Sequence, residues 1–166
     1  MAQRGATVTG IDMGEAPLAV ARLHQMESGV EVDYRQVTAE ALAEEMPEQF
    51  DIVTCLEMLE HVPDPASVIR ACQTLVKPGG QVFFSTINRN PKSYAMAIIG
   101  AEWVMRWLPK GTHDWDKFLT PEELIPLVEA AGLKVGEMRG IAFSPTTGLH
   151  LSDDLALNYI LTATRS

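Results

Sequence analysis

The sequence predicts an α/β fold with a largely parallel sheet, on three observations. Strand-like and helix-like patterns alternate along the chain, as they do where helices cover the faces of a sheet. The 166 residues are 46% hydrophobic, enough for the core of one domain and too apolar for disorder. Polar and charged residues fall just after the apparent strands, at Asp12, Leu56 to His61 and Ile87 to Asn90. Ligands bind at such carboxyl ends in this class.

The elements follow in order. Thr7 to Ile11 reads as a short buried strand ending at Asp12, and Ala16 to Ser28 has helical spacing stopped by Gly29. Val30 to Val37 alternates apolar and polar, a strand pattern, and Ala39 to Met46 is a short acidic helix closed by Pro47. Phe50 to Cys55 is a third strand. Asp64 is placed to cap the next helix, with Pro65 in its first turn, where no amide is needed. That helix runs to the turn Lys77-Pro-Gly-Gly80, and Gln81 to Ile87 is a further strand. Thr120-Pro-Glu-Glu123 is a capping box opening a helix to Ala131, which Gly132 ends. Leu133 to Ala142 and Asp154 to Thr164 are the last two strands. No repeat, low-complexity stretch or linker interrupts this single domain.

Charge narrows the partners. The net charge of -9 disfavours nucleic acid, because phosphate contacts need a basic surface. The balance is uneven, however: residues 1–65 carry 13 acidic and 3 basic side chains, and 66–113 carry 1 acidic and 6 basic. A basic middle in an acidic chain is either a face for an anionic partner or a solvated patch. Two cysteines, Cys55 and Cys72, are too few for a disulfide scaffold and fall in predicted core elements, so a reducing, cytoplasmic setting is expected. No apolar run reaches the ~20 residues needed to span a bilayer.

Asp12 stands directly after a buried strand, where a carboxylate can accept the hydroxyls of a ribose. The same residue can instead cap the helix that follows. The glycine-rich loop that partners such an Asp sits about 20 residues earlier, which here falls before residue 1. Glu57, Glu60 and His61 follow the third strand at offsets that share one face if the segment is helical. Two carboxylates and an imidazole suit Mg²⁺ or Mn²⁺, which can bind an aromatic diol and lower its hydroxyl pKa. His61 can also act directly as a base. The alternative is two acids favoured by a helix N-terminus beside a surface histidine.

Tyr94 to Leu108 is the most apolar stretch, with Glu102 and Arg106 four apart, Trp103 and Trp107 at the same spacing, and Lys92 and Lys110 flanking it. It suits a helix lying in an anionic membrane interface, a lid over an apolar substrate, or an ordinary buried helix. His24 and His150 show no partners, and His113 sits in the polar, loop-like Lys110 to Asp114, from which it can reach a site, though nothing in the sequence shows that it does.

Gly5 to Gly14, Thr54 to Pro65 and Val76 to Gly80 resemble successive motifs of class I S-adenosylmethionine-dependent methyltransferases. Phe84 to Asn90 and Pro109 to Asp114 narrow the likeness to the ubiquinone-biosynthesis O-methyltransferases, which methylate polyprenylated catechols and hydroxyphenols. The likeness runs over essentially the whole chain. It implies a Rossmann-like sandwich, mostly parallel, with an antiparallel last strand. It implies S-adenosylmethionine as cofactor, with Asp12 on its ribose and Leu56 against it. Glu57, Glu60 and His61 match a divalent-metal triad of relatives, Mg²⁺ among the candidates, with His61 as the catalytic base. Residues 92–114 match a membrane-associating insertion, with Trp103, Arg106 and Trp107 in a membrane or substrate lid. The implied setting is cytoplasmic and peripheral to the membrane, with a polyprenyl phenol substrate and a ubiquinone-biosynthesis complex as partners. Relatives carry a first strand, its glycine-rich loop and a cofactor-binding arginine upstream of these motifs. The fold expected for this chain therefore lacks its first strand, whose place is between the strands matching Thr7–Ile11 and Ile52–Cys55. A rival expectation is a non-catalytic remnant that binds lipid or a partner through 92–114. Another is a methyltransferase for a different small phenol.

Overall fold

A computed structural model describes residues 1–90, 117–144, 146 and 148–166. The predicted apolar insertion, with Trp103, Arg106 and Trp107, lies outside the described residues, as does His113. The chain divides into two compact units, Met1–Met46 and Pro47–Ser166. Their strands form separate sheets.

In the first unit β1 (Thr9–Ile11) pairs in parallel with β2 (Asp33–Arg35), Thr9 facing Asp33 and Ile11 facing Arg35. Helix α1 (Glu15–Ser28) joins them and ends as predicted at Gly29, whose φ of 66° is a left-handed stop that glycine adopts without strain. β2 is shorter than the Val30–Val37 pattern suggested. The Val32 amide is drawn to the Gln25 side chain at 3.3 Å, outside the ladder. Helix α2 (Ala39–Glu45) is capped by the Thr38 hydroxyl, which accepts the Ala41 N–H at 3.1 Å. Leu18, Ala39, Leu42 and Ala43 are this unit's buried apolar residues.

The second unit holds β3 (Phe50–Leu56), a 3₁₀ turn (Leu59–His61), α3 (Pro65–Leu75), β4 (Val76–Ile87), α4 (Pro121–Ala130), β5 (Leu133–Ser144), β6 (Gly148–Ser152) and β7 (Asn158–Arg165). The sheet order is β3-β4-β7-β5-β6. β3 and β4 are parallel, and β7 runs antiparallel to both β4 and β5, so the antiparallel last strand is as expected. β6 was not foreseen. It pairs antiparallel with β5 as a hairpin, its Gly148-Leu-His-Leu-Ser pattern being too short to stand out from the turn residues before it.

Two details differ from the sequence reading for local reasons. Asp64 occupies the N-cap position of α3, but its side chain makes no capping bond; its Oδ2 lies 3.5 Å from the Arg70 guanidinium. β4 begins at Val76, and the Lys77-Pro-Gly-Gly80 turn is a kink within it, where the register to β3 jumps between Phe50 and Ile52. Gly80 fits only as glycine: a Cβ there would lie 2.8 Å from the Asp51 carbonyl oxygen.

Helix α3 turns Val68, Ile69, Ala71, Cys72 and Leu75 inward, and β7 alternates Tyr159, Leu161 and Ala163 into the same core. Both cysteines are buried and neither forms a disulfide, in line with the core positions expected of them. Arg165 ties the end of β7 to the α3–β4 junction, donating to the Gln73 carbonyl at 3.1 Å and the Val76 carbonyl at 2.7 Å, and pairing with Glu48. No helix among the described residues is long and apolar enough to cross a membrane.

Candidate active site

In the first unit, Asp12 follows β1 as predicted. Its Oδ1 accepts the N–H of Gly14 at 2.6 Å, and Gly14 is the N-cap residue of α1. The turn-forming role and a ligand-binding role are therefore compatible, because Oδ2 makes no hydrogen bond among the described residues. Beside it lies an open cavity of about 140 Å³ lined by Gly10, Ile11, Asp12, Pro17, Leu18, Ala21 and Tyr34. Gly10 is needed there: the Tyr34 ring would stand 2.9 Å from any Cβ. A carboxylate over a small, partly apolar hollow fits a ribose and the edge of its base.

In the second unit the candidates gather at the carboxyl ends of β3 and β4. Leu56, the last residue of β3, is paired with Ser85 and is 51% exposed, so its side chain is free to lie against a ligand. Glu57 has φ 51°, the left-handed region that non-glycine residues rarely adopt. Ser85 holds it there: the Glu57 N–H donates to the Ser85 carbonyl at 3.0 Å, and the Ser85 hydroxyl donates to Glu57 Oε1 at 2.6 Å. Strained backbone of this kind clusters at functional sites.

The chain then tightens into the 3₁₀ turn. Glu60 goes inward, 4% exposed, and accepts the Thr86 hydroxyl on Oε2 at 2.8 Å. Burial raises its pKa; backbone N–H and Thr86 bonds oppose the shift, and the nearby Glu57 charge adds to it. His61 is exposed on the same turn. The continuous helical face expected for Glu57, Glu60 and His61 is thus not formed, because the left-handed residue and the tight turn send the two carboxylates to different partners. Among the described residues no three His, Cys, Asp or Glu side chains are grouped so as to hold a metal ion. The expected Mg²⁺ triad does not fit this arrangement.

Sequence reasoning placed the strand beneath but gave no role to its Ser85 and Thr86. Ser85 and Thr86 are 2% and 0% exposed, two hydroxyls at the end of an otherwise apolar strand, and that break in the apolar run was the available signal. Thr86 pairs across the ladder with Tyr159, wholly buried, whose hydroxyl donates to the Leu119 carbonyl at 3.0 Å. Burial first, and then Glu123, Glu122, Glu60 and Glu57, push that phenol far above its ordinary range. It is a fixed donor, not a proton carrier. Asn88 donates to the Leu155 carbonyl at 3.0 Å and Asn90 to that of Ala156, pinning the end of β4 to the loop before β7. Next to this loop, Asn158 Oδ1 is buried with no hydrogen-bond partner among the described residues, an acceptor in want of a donor.

Comparison with known proteins bears on the fold and the family. A family model described as a methyltransferase domain matches residues 1–137. The chain is 68% identical to a ubiquinone biosynthesis O-methyltransferase of Pseudomonas entomophila (strain L48), over 99% of this chain and 72% of that protein. Among solved structures, an S-adenosylmethionine-dependent methyltransferase from Methanosarcina mazei superposes with a TM-score of 0.71 at 19% identity, covering 99% of this chain and 84% of that one. The [4+2]-cyclase SpnF gives 0.70 at 19% identity, covering 99% and 68%. At such identities the structures speak for the fold alone, and the cyclase illustrates that the fold does not choose the reaction.

Proposed function

Since the chain belongs to the methyltransferase family, among the ubiquinone-biosynthesis O-methyltransferases, we propose that it methylates a phenolic oxygen of a polyprenylated catechol or hydroxyphenol. The 68% identity over 99% of the chain carries this reading. When bound, S-adenosylmethionine supplies an electrophilic methyl group on its sulfonium.

The chain's own residues bind, orient and move a proton. Asp12 accepts ribose hydroxyls at the mouth of its cavity, and Leu56 offers apolar surface to the cofactor. His61 takes the proton from the phenol, whose oxygen would then accept the methyl group as the sulfonium's carbon–sulfur bond breaks and its electron pair leaves with the neutral thioether. Glu57, locked by Ser85, accepts a hydrogen bond from a second hydroxyl of a catechol. Holding the oxygen in line with the methyl group supplies most of the rate. No step is routed through magnesium, because among the described residues no three His, Cys, Asp or Glu side chains are grouped to hold it.

Residues 92–114 complete the proposal. Trp103 and Trp107 seat the segment in the headgroup region, and Lys92, Arg106 and Lys110 favour anionic lipid, where a polyprenyl tail resides. Association with other enzymes of ubiquinone synthesis belongs to the same reading.

The test is transfer of a labelled methyl group from S-adenosylmethionine to catechols with and without a prenyl tail. Transfer to the oxygen of the prenylated compound, weakened at least tenfold by His61→Ala, is expected. Label that reaches neither compound overturns the reading. For the membrane role, salt-sensitive binding to phosphatidylglycerol vesicles should be lost on replacing Trp103 and Trp107 by Ala. Binding that ignores those changes removes it.

A further inference from the structure

We propose that β6 is a self-complementary edge through which two copies of this chain pair antiparallel about a dyad at His150. Among the described residues β6 ends the sheet, with β5 as its neighbour on one side only. A strand in that position presents unpaired N–H and C=O groups, and proteins usually guard it with lysine, proline, a bulge or a covering element. Among the described residues β6 has none of these: it reads Gly148-Leu-His-Leu-Ser152, and its register to β5 is continuous from Gly148 to Ser152.

Its side chains point to the occupant. In the hairpin, Leu149 faces Phe143 and Leu151 faces Ile141, so these four share one face of the sheet. On that face Phe143 is 72% exposed, Leu149 75% and Leu151 58%. The other face is the one the loop after β6 crosses, as a Cβ on Gly140 would meet the Asp154 carbonyl oxygen. The apolar face is thus continuous, open and reaches the strand's free edge.

The order of residues then selects a second copy. Antiparallel pairing about His150 sets Leu149 opposite the partner's Leu151, Leu151 opposite the partner's Leu149, and Gly148 opposite the partner's Ser152. Leucine meets leucine and glycine meets serine on either side of the central His150 pair, the leucines of both copies fall on one face, and no acidic or lysine side chains oppose each other. The contact is isologous and closes at two chains. An anionic lipid surface is disfavoured, because the charges nearest the end of β6 include Asp153 and Asp154. A five-residue strand buries less than a standard interface, so association is reversible and depends on concentration.

The experiment is sedimentation of the full chain across the micromolar range, with two sets of variants. The wild type is expected to shift from one to two copies, and Leu149→Lys with Leu151→Lys to remain single while keeping the wild-type circular dichroism. His150→Cys tests the register without adding charge. Cysteines facing each other across the dyad lie within disulfide reach, so mild oxidation should give a covalent dimer. Ser152→Cys, opposite Gly148, should give none, and the native Cys55 and Cys72 are buried. A wild type that stays single throughout, a dimer that survives the lysines, or equal cross-linking at 150 and 152 would overturn the proposal. Leucine-dependent binding of a single chain to phosphatidylcholine vesicles would instead assign this face to lipid.

Discussion

Thr86 and Glu60 meet across the floor of the candidate site, hydroxyl to carboxylate at 2.8 Å, with both residues closed to solvent. The arrangement keeps an acid in a place that favours its neutral form. Because burial raises the folded-state pKa above the ordinary 4.5, this group's contribution to stability is full below pH 4.5. It declines as pH rises through the folded value. Glu60→Gln should therefore raise Tm at pH 7 and leave it unchanged near pH 4. Thr86→Val removes a donor from the buried carboxylate and should cost about 1–3 kcal/mol at pH 7. Thermal melts at the two pH values decide the first, and urea melts at pH 7 the second.

Glu57 separates stability from activity. At φ 51° glycine is relaxed and alanine is not. Glu57→Gly should hold or raise stability, by up to about 1 kcal/mol, although the Ser85 bond is lost. Glu57→Ala should be less stable than Glu57→Gly. Both should reduce methyl transfer if the carboxylate orients the catechol. Chemical denaturation beside single-turnover transfer reads the two effects separately, and full activity in Glu57→Gly would remove the proposed role.

Glu123 has the opposite sign to Glu60. Its Oε2 accepts the Thr120 N–H at 2.9 Å, and this bond, with Arg89 beyond it, holds its pKa below 4.5 despite some burial. That stabilisation is present above pH 4.5 and is lost as pH falls through the folded value. Thr120→Ala, which removes the other half of the capping box, should cost about 1 kcal/mol. Glu123→Gln should lower Tm at pH 7 and have little effect at pH 3.

Asp12 offers a graded test of cofactor binding. Asn keeps a side-chain oxygen for Gly14 but loses the charge, whereas Ala loses both. Asp12→Asn should weaken S-adenosylmethionine about tenfold, some 1.4 kcal/mol, with little change in the unliganded Tm. Asp12→Ala should lower that Tm as well. The ligand-induced rise in Tm reports affinity by mass action, and an undiminished rise in both variants would free Asp12 of the role.

The capping box at Thr120 and the stop at Gly29 were legible because local chemistry fixes each, and the α/β class from the alternation of patterns, whereas the last strand's direction came from the family resemblance. Asp12 and the Glu57–His61 segment were legible as positions, since strand ends in this class face ligands. What Glu57, Glu60 and His61 do there was not. A spacing of 0, 3 and 4 implies a shared face only if the backbone is helical, and one left-handed residue cancels that premise. Ser85 and Thr86 escaped because their importance lies in what faces them 26 to 28 residues away in sequence. β6 escaped because its pairing, not its pattern, makes it a strand.

The position of β7 has a consequence for how the chain is made. Residues 158–165 lie between β4 and β5, so nothing translated earlier can bridge the two halves of the larger sheet. Until that segment leaves the ribosome, β3 and β4 wait as one ladder and β5 and β6 as another, their apolar edges open to chaperones and to neighbouring chains. Sheet closure is therefore a late, long-range and comparatively slow event. Arg165 then latches it from the strand's far end.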